Sequence, residues 1–200
     1  MQVNLLNEIS MVSAMKATTA LSKFLQIPFG VDMNPIVIKE IEELNKINCN
    51  INVNDDTINL YIPIMGNLSG ASYFIFTPEN ALSFCDLLLH QIQGTTTEFM
   101  EKEQAALLEV ANVVLGNFLT SFAHSLQMDF LMHSSGEFHY STFANLLIQQ
   151  IPLLTKNIEK YVVELCFNFQ FNDIKGHVLV VFDKEKIDAM LESSMTALNQ

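Results

Sequence analysis

LLEVANVVLGNFLTSF, Leu107 to Phe122, is the stretch on which the reading of this chain turns. It lies within a long helix candidate from Phe99 to Leu126, and its middle is almost wholly apolar, with Leu107, Leu108, Val110, Val113, Val114, Leu115, Phe118 and Leu119. Three polar residues interrupt it: Glu109, Asn112 and Asn117. Residues three apart share a helix face, so Glu109 and Asn112 project together, and Gly116 lies one turn further along the same stripe. A carboxylate, a carboxamide and a bare turn thus form one strip. Glycine inside a helix costs about 1 kcal/mol against alanine, which points to packing or to the close approach of a partner. The same Glu and Asn spacing also arises by chance on solvated helix faces.

Working outward, Leu5 to Leu25 lacks Gly and Pro and repeats apolar residues at helical spacing, which predicts a first long helix stopped by Ile27-Pro28-Phe29-Gly30. Ile36 to Lys46 reads equally as a strand or a short helix. Thr57 to Met65 alternates as a strand, and Gly66 to Gly70 supplies a turn into Ala71 to Phe76. Thr77-Pro78-Glu79-Asn80 then has the pattern of a helix start, leading into Ala81 to Gln91 and an end near Gly94. After the Phe99 to Leu126 helix come a polar break at His133 to Gly136 and a mixed segment. A strand from Tyr161 to Phe171, a turn at Asn172 to Gly176, a strand from His177 to Phe182 and a closing helix from Asp183 to Met195 complete the order.

The second half therefore repeats the first. Sliding one on the other lays Gly70 on Gly176, Phe76 on Phe182 and Glu79 on Glu185, and the opening helices, at a slightly different shift, pair Glu8 with Glu109. The expected fold is α+β, a duplicated helix, strand, hairpin, helix unit whose copies complete one antiparallel sheet covered by helices. The 200 residues suit a single domain with halves of about 1–98 and 99–200, each marginal alone.

Composition narrows the function. Half of the residues are hydrophobic and 16% are charged, so the chain folds. The formal charge is -12 and all ten cations are Lys, which argues against nucleic acid and anionic membranes as partners. Cys49, Cys85 and Cys166 have no CxxC spacing and read as buried free thiols of a reducing compartment. The first ten residues do not resemble a secretory signal, and the sequence is expected to act in the cytoplasm without inserting in a membrane. His90, His124, His133, His139 and His177 form no HExxH or CxxC…H pattern, so no metal or cofactor of its own is expected. GxSxG, GxGxxG and P-loop patterns are absent as well, and Gly66, Gly70 and Gly176 are read as hairpin turns.

The central helix resembles the signature helix of the CheC/CheX/FliY family of chemotaxis phosphatases, in which a Glu-x-x-Asn pair is the active element. LNEISMVSAMKATTALSKFL, Leu6 to Leu25, resembles the family's other such helix through Ala17, Ala20, Leu21 and Ser22. The resemblance implies that Glu109 and Asn112 are catalytic and that Gly116 lets a partner come close. It also implies a degenerate second site, because Glu8 is kept while Met11 stands in place of the asparagine, and Ser10, Ser13 and Met15 replace glycines. Ala105 replaces a residue that is often acidic or hydroxylic, Ala111 replaces a glycine, and no proline follows near Ser135.

The activity implied is hydrolysis of the aspartyl phosphate of a CheY-like response regulator, in chemotaxis or another two-component circuit. Magnesium would sit on the regulator. The alternative is a non-enzymatic module on the same scaffold, in which Met11 and Met15 serve a homodimer or a CheD-like partner or simply pack internally.

Overall fold

The two long apolar periodicities become helices α1 (Gln2–Leu25) and α3 (Glu101–Ser125). A shorter helix, α2 (Pro78–Leu88), begins where the sequence pattern placed it, with the Thr77 hydroxyl accepting from the Asn80 backbone N–H at 3.2 Å and proline in the first turn. The structure is a computed structural model and describes residues 2–34, 37–40, 52, 54–66, 70–132, 136–142, 144–145, 161–172, 174–182 and 192.

α1, α2 and α3 end the same way. Gln26, His90 and Gln127 take left-handed φ values of 56°, 53° and 53°. The next amide then reaches back five residues: Ile27 N–H to Ser22 O at 3.1 Å, Gln91 N–H to Asp86 O at 2.8 Å and Met128 N–H to Ala123 O at 2.9 Å. This is the Schellman stop, built on side-chain-bearing residues instead of the usual glycine. The shift that lays Glu8 on Glu109 also lays Gln26 on Gln127, so the duplicated helices share their endings as well as their apolar spacing.

Among the described residues eight strands form one sheet: β1 (Gly30–Met33), β2 (Val37–Glu40), β3 (Asp56–Gly66), β4 (Gly70–Phe76), β5 (Phe130–Met132), β6 (Glu137–Thr142), β7 (Tyr161–Phe171) and β8 (Ile174–Phe182). Every pairing is antiparallel. The two hairpins, β3–β4 and β7–β8, meet along β4 and β8, with Gly70 opposite Phe182 and Tyr73 opposite Leu179. The shift that lays Gly70 on Gly176 also lays Tyr73 on Leu179, so the join is self-complementary and its axis passes beside that pair.

The short strands cross over. β1 and β2 come from the first half but pair end to end along β7, while β5 and β6 come from the second half and pair along β3. Each copy of the unit thus completes the sheet of the other, which explains why neither half carries all of its own hydrogen-bond partners.

The helices cover one face of this sheet. Ile58, Leu60, Ile62 and Ile64 of β3, Phe74 and Phe76 of β4, and Val178, Val180 and Phe182 of β8 alternate toward them and are buried in a common core. α1 presents Leu6, Ser10, Ser13, Ala14, Ala17 and Leu21 inward, mostly small residues, and these meet the bulkier buried face of α3 with Leu115, Phe118 and Phe122. Phe122 stacks on Phe118 and on Phe182, with ring centroids 5.7 and 6.2 Å away. Burial of each such side chain stabilises by about 1.5–3 kcal/mol. The Ser13 and Thr18 hydroxyls are satisfied by Ile9 O and Ala14 O one turn back, whereas the Ser10 Oγ on the inward face is buried without a partner. By length and composition α3 is apolar enough to cross a membrane, but half of its most apolar window is buried in this core, which accounts for its character.

Two expectations change. Gly70 and Gly176 are not turn residues: both lie in strands, and only Gly66 has the positive φ, 95°, of a hairpin turn. Gly70 is small for a packing reason, since a Cβ there would collide with the Val181 carbonyl oxygen. The return strand β8 also begins at Ile174, earlier than the sequence pattern indicated. The Val37–Glu40 part of the ambiguous segment is a strand; its remainder lies outside the described residues, as does the expected closing helix from Asp183 to Met195 except for Glu192, which is helical and exposed.

Candidate active site

The strip read from the sequence lies on the outer side of α3. Glu109 is exposed and forms no hydrogen bond or ion pair among the described residues. One turn on, Asn112 is half-buried, and its Oδ1 is enclosed without a hydrogen-bond partner. Gly116 is half-buried a turn beyond, and Ala105 is exposed a turn before. An unmade hydrogen bond on an enclosed carboxamide costs about 1–3 kcal/mol, so Asn112 stores an unmet acceptor at the middle of the strip. Asn117 is exposed but not equivalent, because its Nδ2 donates to the Val113 carbonyl at 2.7 Å and its amide is turned onto its own helix. Spacing had already set Asn112, and not Asn117, on the face of Glu109.

On α1 the corresponding positions read differently. Glu8 is exposed like Glu109, but Met11 and Met15, which stand where Asn112 and Gly116 stand on α3, are 55% and 56% exposed. Val12 adds to that apolar surface. The methionines are therefore not internal packing. No cluster of three or more His, Cys, Asp or Glu able to hold a metal occurs among the described residues. His139 pairs with Glu137 at 3.0 Å on β6.

A carboxylate that sequence reading missed anchors the approach to α3. Asp86, buried on α2, accepts from Gly94 N–H at 2.6 Å, Thr96 N–H at 2.9 Å, and the Thr96 and Thr95 hydroxyls at 2.6 and 3.1 Å. Burial alone pushes this carboxyl up, and the hydrogen bonds from Thr96, Gly94 and Thr95 outweigh it, so its pKa lies below the usual carboxylate value. Four bonds converging on one acid fix the loop that delivers the chain to the start of α3. The only hint in the sequence was the Gly-Thr-Thr-Thr run from Gly94 to Thr97, a loop composition with several donors. Nearby Cys85 is inert, since burial first, and then Glu103 and Asp86, push its thiol up to about 12.

No protein-family model matches this sequence, and no curated protein matches it. Solved structures do. FliY of Thermotoga maritima superposes with a TM-score of 0.77 at 17% identity, over 98% of this chain and 96% of that one. A chain of the FliM–SpeE complex from H. pylori gives 0.69 at 13% identity, over 98% and 95%. The CheX–CheY–BeF3–Mg complex from Borrelia burgdorferi gives 0.55 at 18% identity, over 87% and 97%. At such identities the likeness is one of architecture, and in architecture, with its duplicated units sharing one antiparallel sheet under helices, this chain has the CheC/CheX/FliY-like fold.

Proposed function

We propose that this protein is a phosphatase acting on the aspartyl phosphate of a CheY-like response regulator, with one active strip on α3. The observation that carries this reading is the exposed Glu109 with the half-buried Asn112 and Gly116 at the next two turns of the same strip; the Asn112 Oδ1 is enclosed, so its side chain must turn outward on docking to present it. An acyl phosphate is already reactive, so catalysis requires little more than a water held in line with the phosphorus. Asn112 suits that task. Its carboxamide offers a donor and an acceptor and brings no charge up to an anion. Glu109 would pair with a lysine at the regulator's site and set the register of docking through a charge-assisted contact. Magnesium would be held by the regulator's own carboxylates. The CheX structure of the same fold, solved with CheY, supports a partner of this kind.

The test is the rate of phosphate loss from the cognate regulator. Wild-type protein should accelerate it, and Asn112→Ala should lower the acceleration by about 10²-fold, as loss of a positioning group does, with the helical circular dichroism unchanged. A wild-type protein that binds the phosphorylated regulator without shortening its lifetime would overturn this assignment. A second reading, a non-enzymatic module binding a response regulator, a CheD-like protein or a second copy, is favoured by the exposure of Met11 and Met15 on α1. Partner capture that survives Glu109→Ala with Asn112→Ala supports it.

A further inference from the structure

The last three turns of α1 border an open cavity of about 460 Å³, closed on its other side by Ile27, Pro28, Phe29 and Val31. Its polar lining is mostly satisfied from within. The Thr18 and Thr19 hydroxyls donate to Ala14 O and Met15 O at 2.9 and 2.8 Å, and the Ser22 hydroxyl accepts from Phe29 N–H at 3.0 Å. Apart from the Gln26 carboxamide and Lys23, what the cavity offers a ligand is therefore mainly methyl and aromatic surface.

That apolar surface continues out of the cavity. Met11, Met15, Thr18, Ser22 and Gln26 follow one stripe of α1, and Val12, Lys16, Thr19 and Lys23 follow the stripe beside it. From Met11 to Gln26 the footprint is about 22 Å long at ~1.5 Å per residue, too long for a small molecule and right for a short peptide helix. Both lysines are exposed, neither forms an ion pair among the described residues, and they lie two turns apart on one side of the apolar stripe. In a chain of formal charge -12, this is a local cationic edge. Asp32 of β1 is exposed near the cavity, but strand alternation turns it to the face opposite Val31, which lines the cavity.

We infer that this groove on α1 docks an amphipathic segment of a partner protein, with an apolar anchor in the cavity and carboxylates on Lys16 and Lys23. The site is separate from the α3 strip and does not depend on the phosphatase reading. The mode is a helix laid in a groove, with complementary charge fixing its direction.

A library of displayed random 16-residue peptides, panned on the full-length protein, tests this. Enriched peptides should combine apolar residues at helical spacing with Asp or Glu. Their affinity should fall at least tenfold for Lys16→Glu with Lys23→Glu, and again for Met15→Ser in the cavity lining. Rates on a phosphorylated regulator should stay unchanged in these variants, which separates failure here from failure of the catalytic proposal. Enrichment of basic or uncharged peptides, binding indifferent to the substitutions, or no enrichment at all would each overturn the inference. So would concentration-dependent dimerisation abolished by the charge reversals, which would make a second copy the occupant.

Discussion

Replacing Asp86 by alanine removes the acceptor of four hydrogen bonds without adding bulk, and the consequence can be worked from the geometry. The carboxylate is almost fully buried, and two of its bonds come from backbone N–H groups of the loop before α3. Hydrogen bonds to a charged acceptor are worth about 1.5–3 kcal/mol each, but they share one group and the loop's donors regain water when it opens. The expected net loss is therefore about 2–4 kcal/mol, far short of the sum. In urea, with a slope of roughly 2–3 kcal/mol/M for a domain of this size, the midpoint should fall by about 1 M. Asp86→Asn should cost nearly as much, because its NH2 group faces donors. The acid dependence has a definite sign. The folded pKa lies below the unfolded one, so the contribution is complete above the ordinary aspartate pKa and is lost as pH falls through the folded value. Wild type and Asp86→Ala should converge in stability at the acid end. A midpoint shift under 0.2 M at neutral pH (about 0.5 kcal/mol or less on the slope above), or a difference that persists unchanged into acid, would refute the account of Asp86 as the loop's anchor.

Other perturbations follow from the same structure. Gly70→Ala should destabilise by about 2–3 kcal/mol in chemical denaturation, because the added methyl meets the Val181 carbonyl and lies 3.1 Å from the Phe182 Cα, backbone atoms that cannot step aside. Gln26→Gly and Gln127→Gly should each raise stability by about 0.5–1 kcal/mol, since both hold a left-handed φ that glycine adopts without strain. Burial first, and then Lys175, lower the His177 pKa to about 4, so this imidazole is neutral in the fold. Between the unfolded value near ~6.5 and the folded one, the unfolded chain binds more protons, and stability should fall as pH drops through that window by about 2–3 kcal/mol. His177→Gln should flatten that part of the profile, measured as urea midpoints against pH.

The long elements were legible because each repeats a period enough times to be read. α1 and α3 show six or seven turns of apolar spacing, and β3 and β7 run 11 residues each. The duplication was legible for the same reason, through Glu8 and Glu109 and through Phe76 and Phe182. β1 and β5, of 4 and 3 residues, were not, because a strand of that length has no period to display and its partner lies in the other half of the chain. Gly70 was misread because a glycine beside a turn and a glycine under a carbonyl look alike until the neighbouring strand is in place. At the site, spacing put Glu109 and Asn112 on one strip, but it carried no sign that Asn117 would bond to its own helix or that Asp86 would fix the loop ahead of α3.

The two duplicated helices are under different constraints on their two sides, and this explains where they differ. Their inner faces share one sheet and one another, so a change on one must be met on the other: small Ser10, Ala14 and Ala17 on α1 stand at positions corresponding to Ala111, Leu115 and Phe118 on α3, and the interface stays closed because the small residues of one helix make room for the large residues of the other. Their outer faces are less constrained by the rest of the molecule, although Asn112 and Gly116 are half-buried. There, the shift that matches Glu8 with Glu109 sets Met11 against Asn112, Met15 against Gly116 and Lys16 against Asn117. A strip of acid, amide and bare backbone on α3 suits a polar, charged reaction site on a partner, while a strip of thioethers edged by ammonium groups on α1 suits an apolar segment carrying carboxylates. Duplication thus leaves one rigid core with two outer helices of unlike chemistry, and a substitution on the outer face of either can alter its binding without disturbing the fold that presents the other.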